Sequence, residues 1–189
     1  VIAFIGKEGA VIAGDMREIL FHGEKEKREV LESELYRGDI ISDDELMQRS
    51  HQLGISISIR DNKNKIYSRD GILIGEVSSF EEGTMRRRRV YAARARYAII
   101  DIIGGERQLR QRGEGSAFVV LGNDITKQIA HECIKKYWKN GTLNDALRII
   151  IRAMERASLK TASVSRTYAL LQTSSEADPD VLIRNESVV

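Results

Sequence analysis

Three kinds of residue in this sequence could carry chemistry. An acidic and a basic residue, Asp15 and Arg17, close an apolar run that begins at Ala10. On residue type alone they read as an ion pair at the end of a strand. Lys65 follows the turn-forming stretch Asp61-Asn62-Lys63-Asn64, where both it and Lys63 read as solvated lysines. Lys25 and Lys27 are rival lysines in the same half of the chain. Gly75 and Gly122 mark points of close backbone approach or a helix entry, and Asn123 suits the N-cap of a helix starting near Asp124. His22, His51 and His131 have no metal-ligand spacing with Cys133, so the sequence implies neither a metal nor another cofactor. Ser116 and Ser163 lack the Gly-x-Ser-x-Gly context of an internal nucleophile.

The one basic concentration is Arg86-Arg87-Arg88-Arg89 with Arg94 and Arg96. In a strand these side chains alternate between faces. They read as a charged edge that resists aggregation, or as a surface for an acidic peptide. No aromatic platform accompanies them, so nucleic acid is not an expected partner.

The elements that must position these residues follow from periodicity. Val1 to Gly6 and Ala10 to Ala13 form an apolar hairpin buried on both faces, and Arg17 to His22 is a third strand. Glu24 to Tyr36 has helical spacing and stops at Gly38. Ser42-Asp43-Asp44-Glu45 is a capping box for a helix ending at Gly54. Strand patterns return at Ile55 to Ile59, Lys65 to Tyr67 and Gly71 to Val77. A turn at Glu81-Glu82-Gly83-Thr84 leads into Met85 to Ala93. Tyr97 to Ile103, Glu106 to Arg112 and Ser116 to Leu121 follow. Asp124 to Trp138 and Leu143 to Leu159 are amphipathic helices, with Cys133, Tyr137 and Trp138 as packing residues, and Tyr168 to Leu171 is a closing strand. The fold class is α+β, with helices packed on a mainly antiparallel sandwich. The core spans residues 1–173 with a helical hairpin inserted at 24–53, and 174–189 reads as a linker or tail.

The 189 residues suit one domain, and the net charge of +2 argues for no polyanionic partner. A single cysteine excludes an internal disulfide and suits a reducing, cytoplasmic setting. No apolar run is long enough to cross a bilayer.

The segment Phe4-Ile5-Gly6-Lys7-Glu8-Gly9-Ala10-Val11-Ile12-Ala13-Gly14-Asp15-Met16-Arg17 resembles the opening of proteasome β subunits. In that family an acidic residue and an arginine close the second strand, as Asp15 and Arg17 do here. Lys65-Ile66-Tyr67 resembles the second strand of a hairpin that begins with the active-site lysine. Ile74-Gly75-Glu76-Val77 resembles the strand whose glycine gives a backbone N–H to the oxyanion hole. Gly122-Asn123 stands where the family has a Gly-Ser pair beside the nucleophile, and Thr161 stands where it has an aspartate. With the inserted helical pair and the arginine-rich strand, the chain is similar to the connectases of methanogenic archaea, proteasome-β relatives that join polypeptides at a recognition sequence.

The resemblance implies an N-terminal-nucleophile (Ntn-hydrolase), proteasome β-like αββα sandwich with catalytic positions Asp15, Arg17, Lys65, Gly75, Gly122 and Asn123. Its register puts the nucleophilic Ser or Thr two positions before Val1, outside this sequence. Asp15 would hold Lys65, and Arg17 would orient Asp15. The implied activity is sequence-specific protein ligation, with a subunit of the methanogen membrane methyltransferase as partner. The proteasomal first helix pair has no counterpart between Glu76 and Arg96, which reads as strand and implies a monomer. Connectases are longer than this chain, which leaves room for a C-terminal domain. Two other functions fit the same residues: an Ntn protease or amidohydrolase, and a non-catalytic peptide-binding module.

Overall fold

The computed structural model describes residues 1–81 and 83–186. Glu82 of the expected turn and the last three residues of the expected tail lie outside them. The first two strands, β1 (Ile2–Gly6) and β2 (Gly9–Asp15), form the antiparallel centre of a sheet ordered β10-β1-β2-β11, with β10 at Ala117–Val120 and β11 at Tyr168–Thr173. Every residue of β1 and β2 is buried, which is why their sequence is nearly unbroken in apolar and small residues.

One face of this sheet packs on α3 (Asp124–Tyr137) and α4 (Leu143–Lys160). Ile2, Phe4, Val11 and Ala13 meet Cys133, Ile150 and Met154 there. Phe4, Phe118 and Trp138 form a three-ring cluster with centroids 4.8 to 5.1 Å apart. Trp138 is thus the packing residue expected, whereas Tyr137 is exposed beneath Lys136 and Arg152. The other face, with Val1, Ala3, Ile5 and Ile12, packs on a five-stranded sheet ordered β5-β6-β7-β8-β9. Its strands are β5 (Ile66–Arg69), β6 (Ile72–Glu81), β7 (Thr84–Ala93), β8 (Arg96–Ile103) and β9 (Glu106–Glu114). The chain is therefore α+β with antiparallel sheets.

Two short strands, β3 (Glu18–His22) and β4 (Ser56–Arg60), pair with each other and carry α1 (Lys25–Arg37) and α2 (Asp43–Leu53) between them. The capping box of Ser42 and Glu45 opens α2, and left-handed glycines, Gly38 and Gly54, close the two helices. Leu31, Leu35 and Leu46 pack on Phe21, Ile57 and Ile59.

Three readings of the sequence are corrected. The expected hairpin from Ile57 through Asn64 to Tyr67 does not form. β4 pairs with β3 while β5 pairs with β6, so the Asp61–Asn64 turn carries the chain from one sheet to another. The arginine-rich strand β7 is the middle of its sheet, not an edge, and Arg88 pairs with Asp101 while Arg89 pairs with Glu76 and Glu186. The stretch after Ser174 does not run free as a linker. It includes α5 (Pro179–Asn185), which seats Leu182 among Ile72, Ile74, Tyr91 and Ile100 on the outer face of the five-stranded sheet. Glu186 at its end is 8% exposed and accepts a 2.7 Å hydrogen bond from Tyr91 Oη.

Helices α1 and α2 depend on one small apolar cluster. Leu35→Ala should therefore cost about 2–5 kcal/mol, read as a lowered urea midpoint.

Candidate functional site

Lys65 reaches the site because β5 leaves the Asp61–Asn64 turn directly beside the end of β2. Its Nζ donates to both oxygens of the Asp15 carboxylate at 2.8 Å. Asp15 is 6% exposed and also accepts the Arg17 backbone N–H at 3.0 Å. This pair is far drier than the exposed lysine pairs nearby, Lys63 with Glu18 at 3.1 Å and Lys27 with Glu24 at 2.8 Å. Of Lys65 and its rivals Lys25 and Lys27, Lys65 is the one on Asp15.

Arg17 meets Asp15 through its backbone amide, while its guanidinium turns elsewhere. The guanidinium donates to Asp61 at 2.8 and 2.9 Å, to both oxygens of Asp43, and to the Ala162 carbonyl at 2.7 Å. These partners hold Arg17 well above its ordinary range, and the Arg17 hydrogen bonds hold Asp61 below the usual carboxylate range. Asp43 and Asp61 were legible only as a helix-cap and a turn residue.

Two glycines let the parts approach. A Cβ on Gly14 would lie 2.8 Å from Ile66 Cγ2 and 3.4 Å from Lys65 Cβ. A Cβ on Gly75 would lie 2.7 Å from Val1 Cγ1 and 2.6 Å from Ile12 Cδ1. Gly14 was not singled out from sequence, where it looks like any glycine at a strand end. Gly75 was singled out for its amide, and that expectation is not met. The Glu76 N–H bonds the Lys65 carbonyl at 2.8 Å, so the amide one residue earlier turns the other way, toward its partner Val90 in β7.

Gly122 and Asn123 lie between β10 and α3. Asn123 caps α3 by accepting the Thr126 N–H at 3.1 Å, and its Nδ2 donates to Ser163 Oγ at 2.9 Å. Ser163 Oγ in turn lies 2.9 Å from Thr161 Oγ1, and Thr161 is fully buried. A hydroxyl pair therefore stands at the position where an aspartate was expected. The loop after α4 is drawn to the Asp15–Arg17 corner, since Met16 N–H donates to Ser165 Oγ at 3.1 Å.

β1 enters this corner. Val1 continues the ladder to β10: its nitrogen donates to the Leu121 carbonyl at 3.0 Å and its carbonyl accepts from Leu121 at 2.9 Å. Val1, Ala3 and Ile5 share the face toward the five-stranded sheet, so strand alternation puts a residue two places earlier on that face too. The corner opens into a cleft of about 1260 Å³, bounded by β3 and α1 on one side and by β6 and β7 on the other. Among the described residues no group of His, Cys, Asp and Glu is placed to hold a metal ion, and no helix is long and apolar enough to cross a membrane.

With this geometry in place, the comparison with known families is decisive. Residues 1–185 match the family described as Connectase MJ0548-like, N-terminal domain. The chain belongs to the connectase family. Among curated proteins none matches it. Its place in a connectase N-terminal domain agrees with the resemblance read from the first strands.

Arg17 is the joint of this connectase domain. Arg17→Gln should lower stability by roughly 1–3 kcal/mol, because it unpairs two carboxylates and a buried carbonyl. The pH dependence carries a sign. Asp61 is depressed in the folded state, so its pair stabilises above the ordinary carboxylate value and is lost as pH falls through the folded value. Thermal unfolding between pH 6 and pH 3 should show a steeper acid loss in the native protein than in Arg17→Gln.

Proposed function

We propose that this chain is the acyl-transfer domain of a protein ligase with an Ntn-hydrolase fold, using an N-terminal Ser or Thr two positions before Val1. The observation that carries the reading is the buried Asp15–Lys65 pair at the head of β1, on the face where that residue would point. Membership of the connectase family supports it.

In this mechanism the hydroxyl oxygen attacks a peptide carbonyl while the free α-amine takes the hydroxyl proton. The tetrahedral intermediate collapses, the C–N bond breaks, and the amine returns the proton to the leaving nitrogen. An ester to the enzyme remains. The amine of an acceptor peptide then attacks this ester and restores the hydroxyl. Lys65 favours both the neutral amine and the ionising hydroxyl, and its ammonium keeps its place by its bonds to Asp15. Arg17 is a positioning residue: its amide aims Asp15 and its guanidinium fixes the loop before Lys65. The backbone at Gly122 and Asn123, at the positive end of α3, supplies the oxyanion donors. Gly75 gives room for the nucleophile through its missing Cβ. The substrate is a polypeptide with a recognition sequence, and the enzyme acts as a cytoplasmic monomer without cofactor.

Intact mass of the full-length protein after incubation with donor peptides tests this. The native protein should gain the mass of an acyl fragment on its N-terminal residue and lose it to an added amine peptide. Lys65→Ala should slow adduct formation at least about 100-fold while the fold, read by circular dichroism, persists. A native protein that gains no mass with any donor would sink the reading, and an adduct that only water resolves would make it a hydrolase.

A further inference from the structure

Glu186 is a buried carboxylate that the candidate site does not contain, yet its partners lead back to Lys65. It follows α5 and, besides the Tyr91 hydrogen bond, gathers arginines from three strands. Arg89 of β7 donates to it at 3.3 Å, and Arg69 of β5 and Arg107 of β9 lie 3.8 Å away. Arg107 also donates to the Ile183 carbonyl at 2.7 Å, which holds the end of α5 over the same point. None of Glu186, Arg69, Arg89 and Arg107 lines the cleft.

Two ties run from this cluster to Lys65. Arg89 Nε donates to the Glu76 carboxylate, opposite it on β6. The N–H of the same Glu76 donates to the Lys65 carbonyl at 2.8 Å, at the end of the β5–β6 pairing. The second tie is Arg69, at the far end of β5. That strand has four residues and lies at the edge of its sheet, so its ladder holds it from one side only. Stability alone does not call for the cluster. Leu182 already gives α5 an apolar seat, and a buried ion cluster contributes little beyond what packed apolar side chains would. What it adds is direction, because charged groups bond in fixed geometry.

We propose that Glu186 is a positioning residue for Lys65. It holds Arg89 on Glu76 and Arg69 over β5, and so sets the strand from which the lysine reaches Asp15. The seating of α5 is thereby coupled to a site that α5 does not line. The role given to Lys65 rests on the ligase reading; the tie itself does not. A displacement of about 1 Å at such a group costs about 100-fold in rate.

Glu186→Gln, made in the full-length protein and studied where it remains folded, tests this in two ways. Glutamine keeps the size of the side chain and an acceptor for Tyr91, but loses the charge that gathers the arginines. Hydrogen exchange followed by NMR should show the Glu76 amide exchanging at least about ten-fold faster, with the β1 and β2 amides unchanged. Adduct formation from a donor peptide, read by mass, should slow at least about ten-fold at saturating donor, while the half-saturating donor concentration stays the same. Tyr91→Phe is the control. It removes a bond to the same carboxylate but no charge, so it should lower the melting temperature and leave both readouts in place. A Glu186→Gln variant that melts earlier with an unmoved Glu76 amide, or that forms adducts at the native rate, would overturn the proposal. So would a Tyr91→Phe variant that slows adducts as much as Glu186→Gln does. If the native protein forms no adduct, the ligase reading fails and the exchange result alone decides the tie.

Discussion

The guanidinium of Arg17 is the constraint on which the candidate site depends. Its partners come from three separate stretches: Asp43 at the start of the inserted α2, Asp61 in the turn before β5, and Ala162 in the loop after α4. A lysine could not replace it, because one ammonium cannot address two carboxylates and a carbonyl in fixed directions. The same residue aims Asp15 through its backbone amide, so the seating of α2 and the placing of Lys65 meet in one side chain and one peptide unit. Burying an arginine is costly unless each donor finds a partner, and here the environment provides them.

The two-sheet sandwich explains why that corner is open rather than filled. β1 and β2 bury their full length, which fixes the head of β1 against the five-stranded sheet. β5 is short and stops where β6 and β7 continue, and the cleft begins where this pairing ends. Glycine at positions 14 and 75 then removes the two Cβ atoms that would block the approach of β5 to β2 and of β6 to Val1. The space at the site comes from strand length and missing side chains. A loop folded over it is not required.

Legibility in the sequence followed locality. The β1–β2 hairpin, the capping box at Ser42, the glycine stops at Gly38 and Gly54 and the two amphipathic helices are written in neighbouring residues, and the structure has them. The pairing of Asp15 with Lys65 was reachable because the first strands resemble a known family; spacing alone left Lys25 and Lys27 as rivals. The rest is non-local. Nothing near Asp61 signals that its turn changes sheets, since alternation looks the same whichever strand becomes the partner. α5 was read as a tail because its stretch is short and polar, and its stability comes from Leu182 and Glu186 meeting strands some 90 residues earlier, as Tyr91 does at a separation of 95. Arg89, one of the residues counted as a basic patch, is half of that seat.

Charge near the site is also organised by which partners are buried. Asp101 is held down to about 2 by Arg88 first, with Arg110 adding to it, so it remains a carboxylate across the physiological range and keeps both arginines oriented. On the opposite face of β7, Arg89 donates to Glu186. A single strand therefore sends Arg89 to the outer face, where it meets Glu186 after α5, and Arg88 to the inner face, where it lines the cleft. Four consecutive arginines in a row look like one basic patch in the sequence. Period-two alternation divides Arg88 and Arg89 between the two faces of the sheet.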